Sequence, residues 1–578
     1  MVLTRTDESR ARGDLVISPG STPEACNVAA HLPRMAAEVP DHPAVILPHG
    51  RRGGRARYLS LSFSELEALS NRYANGLTRA GITRGMRTLM MVRPGKEFIG
   101  LTFALFKMGA VPVMIDPGMG VRRLLECVRS VQPEAMIGIP AAQVVRVLQP
   151  KYFPGLKVPV TVGRRLFWGG HTLQALADAS SDTYAMAATE PDEVAAILFT
   201  SGATGPAKGV VYQHGMFDAQ VDMIRSHYGI APGEMDLPAF PLFALFNPAM
   251  GVTSVIPDMD ASRPAKVNPA RIVEAIQDHS VTSTFGSPAL WKRVAAYCVE
   301  RGIKLPSVRR ILIAGAPVPA VVIERLRSVI GDDGDIHTPY GATESLPVSS
   351  ISGSELFGVP SDLDASPATL ARSGKGTCVG FPLPGIDLRV IPLSDENISD
   401  MQGVEPVSVG SIGEIVVRGA VVTRAYANRP DATRASKIAD GDDIWHRIGD
   451  VGYRDKSGRV WFCGRKNHRV ETGRGTLYPI PCEALFNEQP RVSRSALVGV
   501  GERGRQVPVM VIEPESGAYP HGANRQSWST ELLRFAKSNP LTEEITHILF
   551  HRRFPVDVRH NAKINRELLS QWASEQLR

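Results

Sequence analysis

Apolar positions give the chain its first outline. From Phe63 they recur at Leu66, Leu69, Tyr73 and Leu77, the spacing of an amphipathic helix, and Gly81 supplies its stop. The run 88–92 then predicts a buried strand, 97–108 a second helix, 111–115 a second strand and Asp116-Pro117-Gly118 a turn. That strand–helix–strand order requires a crossover and predicts a parallel sheet. The alternation returns with a strand over 309–314, a turn at Gly315-Ala316-Pro317, and a helix over 318–330 with apolar Val321, Val322, Leu326 and Ile330. The segment 352–376 has few apolar anchors and reads as a surface excursion. After Gly464 the pattern changes to a small α/β region that ends in an amphipathic helix over 565–577. The expected fold class is α/β: a large N-terminal domain (1–463) with parallel and mixed sheets, and a small α+β C-terminal domain (464–578).

At 578 residues the chain exceeds what one hydrophobic core organises, which agrees with at least two domains. With 43% hydrophobic and 21% charged residues, it has the composition of an ordinary soluble protein. A net charge of +7 raises nucleic acid or an anionic membrane surface as partners. The basic residues are scattered, with short clusters at 51–55, 309–310 and 552–553, so a solvated basic surface is expected and no nucleic-acid partner. Cys26, Cys127, Cys298, Cys378, Cys463 and Cys482 lie far apart, without zinc-ligand spacing, which predicts buried thiols in a reducing compartment. Residues 1–14 lack the apolar core of a secretion signal. The longest apolar stretch, 99–115, is broken by Lys107 and glycines, unlike a transmembrane segment. The expected location is the cytoplasm.

Candidate chemistry concentrates in one loop. Phe199-Thr200-Ser201-Gly202-Ala203-Thr204-Gly205-Pro206-Ala207-Lys208-Gly209 follows the apolar run 194–198 and so leaves the end of a strand. Its glycines allow close backbone approach, its hydroxyls and amides can donate to phosphate oxygens, and Lys208 adds positive charge. The Walker pattern is excluded, because Gly209 rather than Ser or Thr follows Lys208. Glu344, in Tyr340-Gly341-Ala342-Thr343-Glu344 after a predicted short strand over 335–338, is a hard ligand suited to Mg²⁺ shared with substrate phosphates. A second carboxylate, Asp450, closes the segment Trp445-His446-Arg447-Ile448-Gly449-Asp450.

Taken in order, these segments resemble the adenylate-forming superfamily of acyl-CoA synthetases, peptide-synthetase adenylation domains and luciferases. Residues 200–209 are similar to its T-S-G-[ST]-T-G-x-P-K-G signature, departing at Ala203, Pro206 and Ala207. The resemblance implies the adenylate-forming fold, with ATP and Mg²⁺ as its cofactors. It implies that Thr200, Ser201, Gly202, Ala203, Thr204 and Gly205 bind phosphate, and that Gly315, Ala316 and Pro317 line the adenine pocket. Tyr340, within a segment that includes Gly341 and Thr343, would pack on adenine, Glu344 would hold the metal and Asp450 the ribose. Arg465, in the Gly464-Arg465 pair at the start of an inter-domain hinge, would lie near the nucleotide. Lys563, in the closing motif PVDVRHNAKINREL (555–568), would reach into the site on a mobile lid. Lys563, Glu344 and Lys208 are the implied catalytic residues.

Several departures narrow the resemblance. The hinge position reads Asn467, and Arg474 stands where glycine usually borders a thiol channel. Ala244 and Phe246 shape an acyl channel expected to suit an aliphatic substrate. The segments PLFALFNPAMG (241–251) and IPDMD (256–260), with the closing motif, look like those of the β-lactone synthetases of bacterial long-chain olefin biosynthesis. That resemblance implies a 2-alkyl-3-hydroxy fatty acid as substrate, adenylated and then closed to a β-lactone by its own hydroxyl. It further implies a cytoplasmic assembly with a thiolase-like enzyme, a reductase and a hydrolase-fold decarboxylase. His214 and His468 are the candidates for the closing base. The alternatives are a long-chain acyl-CoA synthetase and, more remotely, a non-catalytic basic binding protein on a nucleotide fold.

Overall fold

The structure, a computed structural model, describes residues 26–199, 207–240, 244–556 and 563–578. The Phe63–Arg79 helix starts where Ser62 and Glu65 cap each other's backbone amides, and it buries Phe63, Leu66, Tyr73 and Leu77. Strands Arg87–Met91 and Val111–Met114 pair in parallel around the Lys96–Lys107 helix, as the crossover pattern predicts. Lys107, the charge in the longest apolar run, is buried and donates to Glu67, Ser70 and Asn71 at 2.6–2.8 Å, so its charge is matched by hydrogen bonds rather than by water.

Among the described residues the strands assemble into sheets of nine, seven, six, three and two strands. The seven-stranded sheet is parallel from His171–Thr172 across to Val194–Phe199, and only the last strand, Gly209–Gln213, is antiparallel. Its pairing of Phe199 with Gly209 pins both ends of the glycine-rich loop. In the nine-stranded sheet Ser283–Gly286, Arg310–Ile313 and Asp335–Ala342 are parallel neighbours, and Ser345–Ser352 turns back antiparallel on the last of them. The six-stranded sheet is antiparallel and holds Asp443–Arg454 against Val460–Arg465, with Asp450 opposite Arg465.

The C-terminal sheet of Val492–Val500, Val507–Pro514 and His547–Phe550 has apolar clusters of its own. Phe486, Leu497, Met510, Trp528 and Phe550 gather in one, and Ala496, Val509, Phe554, Leu569 and Ala573 in another. The closing helix is Arg566–Leu577, capped by Asn565.

Three expectations change. The segment 352–376 is not a bare excursion: it forms the helices Gly353–Phe357 and Pro367–Leu370, and Leu356 and Ala368 enter the core. The helix expected over 318–330 runs only over Ala320–Arg327, and its start is set by Pro319, the N-cap, which is extended. Val321 is exposed, and Ile323 takes its place in the core. The strand expected over 335–338 runs on to Ala342 and so carries Tyr340 itself. Among the described residues no helix is long and apolar enough to cross a membrane. All six cysteines are free, five of them buried and Cys26 intermediate.

Candidate active site

A cavity of about 2840 Å³ opens among the ends of these strands. Lys208, Gly315, Ala316, Pro317, Tyr340, Gly341, Thr343, Glu344, Asp450, Arg465 and Lys563 all line it. The loop residues Thr200, Ser201, Gly202, Ala203, Thr204 and Gly205 lie outside the described residues. Gly315 takes φ +98, a left-handed backbone that frees this turn after Arg310–Ile313 to follow the cavity wall.

Two groups of polar side chains stand on this wall. In the first, the Tyr340 hydroxyl donates to Asp450 Oδ2 at 2.7 Å, and Arg465 Nη1 donates to Asp450 Oδ1 at 2.7 Å and to the Ile448 carbonyl at 3.2 Å. Burial, reinforced by the Asp450 charge, holds the Tyr340 phenol well above its ordinary value. The charge of Asp450 raises the Arg465 guanidinium in turn. A buried carboxylate bracketed in this way is held in a fixed orientation on the cavity wall.

In the second, the Tyr426 hydroxyl donates to Glu344 Oε1 at 2.7 Å. The ammonium of Lys208 lies 4.8 Å from the Tyr426 ring centroid, and that of Lys437 lies 6.0 Å away. Thr423 donates from its amide (2.9 Å) and hydroxyl (3.1 Å) to the Glu344 carbonyl, and the Tyr212 hydroxyl donates to the Thr343 carbonyl. Burial lowers the Lys208 ammonium, against the pull of Glu344. Lys437, deeper still, donates to the Thr423 carbonyl and is pushed down to about 7 by burial. Sequence reasoning missed Tyr426, Lys437 and Tyr212, since each is joined to its partner only by the fold.

Other candidates separate clearly. His468 lines the cavity, and burial, helped by repulsion from Arg566 and Arg465, pushes its imidazole down to about 3, so it is neutral and a weak base. His214 is buried away from the cavity wall: its Nδ1 accepts from the Val28 amide at 3.3 Å, and its ring meets Phe106 edge-on. It serves the core and is not placed to act as a base. Arg474 sits at the exposed turn of the ribbon Val470–Glu471 and Thr476–Leu477, with its amide on Thr472 Oγ1, and does not line the cavity. Asn467 does line it, just past Lys466, whose ammonium is held by Glu414 at 3.1 Å.

Apolar side chains line another part of the cavity. Met90, Phe98, Phe217, Ala244, Phe246 and Ile256 extend it, and Ile139, Ala142, Val145 and Phe153 close one side. Beneath Phe246, Asn247 Nδ2 donates to Asp236 Oδ2 at 2.8 Å and to Ser254 Oγ at 3.0 Å. Burial raises the Asp236 carboxyl to about 7. Among the described residues no group of three or more His, Cys, Asp and Glu could hold a metal by itself.

Over 562 residues the chain is 48% identical to the olefin beta-lactone synthetase of Stenotrophomonas maltophilia, an alignment spanning 96% of this chain and 99% of the relative. It is 47% identical over 559 residues to the olefin beta-lactone synthetase of Xanthomonas campestris pv. campestris, covering 95% and 98%. A feruloyl-CoA synthase from Amycolatopsis is 28% identical over 491 residues. The fold matches ATP-bound MatB from Rhodopseudomonas palustris with a TM-score of 0.75 at 21% identity, covering 96% of this chain and all of the other. It also matches O-succinylbenzoate coenzyme A synthetase (MenE) from Bacillus subtilis with a TM-score of 0.70 at 20% identity. The AMP-binding enzyme family matches residues 32–427, well over half of the chain, and this protein belongs to that family.

Proposed function

We propose that this protein uses ATP to adenylate a 2-alkyl-3-hydroxy long-chain fatty acid and then closes the acyl-adenylate to a β-lactone. The observation that carries the reading is one continuous cavity in which the polar wall of Lys208, Glu344, Asp450 and Lys563 meets an apolar arm past Phe246. The two relatives sharing nearly half of the sequence along nearly its whole length support the same product.

In the first step a carboxylate oxygen of the substrate bonds to the α-phosphorus of ATP, and the bond to pyrophosphate breaks. Two anions must meet, so the barrier is largely electrostatic. Lys208 and Lys563 offset the charge from the cavity wall, and Asp450 with Arg465 fixes the sugar and so the phosphorus. Thr200 to Gly205 are assigned to the phosphates. The donor set suits Mg²⁺, since Glu344 offers one carboxylate on the cavity wall, and this ion is commonly held by one or two carboxylates plus phosphate oxygens. Once bound there, it would neutralise phosphate charge.

In the second step the β-hydroxyl oxygen bonds to the acyl carbon, the bond to AMP breaks, and the hydroxyl proton passes to the departing AMP. The nucleophile is already attached to the substrate, so the site has only to hold it near the carbonyl and keep water out. Residues 464–578 are assigned as the unit that brings Lys563 to the site. A cytoplasmic assembly with enzymes that form the β-hydroxy acid and decarboxylate the lactone fits this chemistry.

The test is incubation with Mg-ATP and a synthetic 2-alkyl-3-hydroxy acid, with and without coenzyme A, following AMP and the organic product. A β-lactone formed without coenzyme A is expected. A thioester formed only with coenzyme A would replace this reading with an acyl-CoA synthetase.

A further inference from the structure

The outer side of the cavity's apolar wall has an unusual surface. Residues 135–177 contain no Asp or Glu over 43 positions, in a chain whose 58 acids average about one per ten residues. The same stretch carries Arg146, Lys151, Lys157, Arg164 and Arg165. Within it large apolar side chains stand out in water: Phe167 is 76% exposed, Leu148 70% and Leu166 50%. Isolated exposed leucines are ordinary, but large apolar groups flanked by cations are not; the acids nearest in sequence, Glu134 and Asp178, lie at the two ends of the stretch, and Glu134 pairs with Lys157 at 3.2 Å.

The fold draws these residues to one edge. Strands Val158–Thr161 and His171–Thr172 end the seven-stranded sheet, and the loop between them holds Arg164 to Phe167. Arg146, on the helix Pro140–Leu148, donates to the Trp168 carbonyl at 3.1 Å and ties that helix to the loop. Trp168 is buried with its indole on Thr161 Oγ1, so it anchors the loop while the adjacent Phe167 points outward. The same helix lines the cavity with Ala142 and Val145 and exposes Leu148. One helix therefore separates the apolar arm from the exposed patch.

We infer that this edge is a docking face for an anionic lipid surface. Apolar side chains exposed on a loop that Trp168 anchors insert at the headgroup boundary, and the neighbouring cations meet lipid phosphates. An acidic protein partner would meet the cations but would leave the exposed Phe167 and Leu166 without an apolar counterpart, so the two features together favour lipid. The face itself does not depend on the proposed reaction. It rests on that reading only for its purpose, which is to take up a long-chain acid where such acids partition.

The full-length protein is sedimented with vesicles of phosphatidylglycerol and phosphatidylethanolamine, and separately with phosphatidylcholine alone. Binding to the anionic vesicles is expected to be at least tenfold stronger and to weaken in 0.5 M salt, where charge attraction is screened. The double variants Leu166→Ser with Phe167→Ser, and Lys151→Glu with Arg164→Glu, should each reduce binding at least tenfold. Both should keep the wild-type melting temperature and AMP release, since these side chains are exposed. No sedimentation of the wild type, or equal binding by wild type and variants, overturns the proposal. So does a self-association, seen by light scattering, that the Leu166 and Phe167 changes abolish without any effect on vesicles. None of these outcomes depends on which product the enzyme makes.

Discussion

The hydroxyl of Tyr426 donates to Glu344 Oε1 across 82 positions of sequence, at 2.7 Å, while its ring faces the ammonium of Lys208. One side chain thus fixes the carboxylate assigned to the metal and the lysine assigned to phosphate. Removing the hydroxyl frees the carboxylate to rotate but leaves the ring. Tyr426→Phe should slow ATP–pyrophosphate exchange by about tenfold, since a hydrogen bond to a charged group is worth about 1.5 kcal/mol or more. A rate within twofold of wild type would take Tyr426 out of the site.

Asp450 holds two charge-assisted or phenolic donors before any ribose arrives. Asp450→Ala should weaken ATP binding by about 10- to 100-fold, measured by calorimetry, because it removes an ionised acceptor and leaves Arg465 without its counter-charge. Retention of wild-type affinity would move the sugar elsewhere.

Lys563 lines the cavity from the C-terminal part of the chain. Lys563→Ala should lower acyl-adenylate formation by about 100-fold or more, while ATP affinity changes less than threefold, because the interaction is made mainly as charge develops. An equal loss in binding and rate would make it a ground-state contact.

Asp236 predicts a pH dependence of stability. Its folded value is raised to about 7 by burial, above its ordinary 3.8. The folded state therefore keeps a proton that the unfolded state has lost. The contribution of Asp236 to stability is greatest below pH 4, falls as pH rises to about 7, and is flat above that. Relative to Asp236→Asn, the wild type should lose about 2.5 kcal/mol between pH 5 and pH 8 in urea unfolding. A difference that does not change with pH would mean that Asp236 is ionised in the fold.

Much of this was legible in the sequence because it is local. The crossover around Lys96–Lys107, the turn after Arg310–Ile313 and the closing helix all follow from apolar spacing and caps. The resemblance of their motifs to the adenylate-forming superfamily placed Tyr340, Glu344, Asp450 and Lys563 in one site, and the fold brings them to one cavity. The helix Gly353–Phe357 was overlooked although Ser352 and Glu355 form a capping box, a signal readable at three-residue spacing. Lys437 was illegible for a different reason. A single lysine after a short helix has no signature, and only burial beside Thr423 marks it out. Val321 and Ile323 exchange roles because the buried stripe runs through Val322, Ile323 and Leu326, which leaves Val321 on its flank.

Lys563 is on a short leash. Its neighbour Ile564 bridges to Val556, the Asn565 amide donates to the Pro555 carbonyl at 2.8 Å, and Arg566 clasps Glu483 at 2.6 and 2.9 Å. Three residues of chain span roughly 10 Å at most, and the first of them is already tethered. The lysine cannot be withdrawn by a loop folding aside. Any shift of Lys563 would therefore carry the closing helix, and the strand and helix it is tied to, along with it.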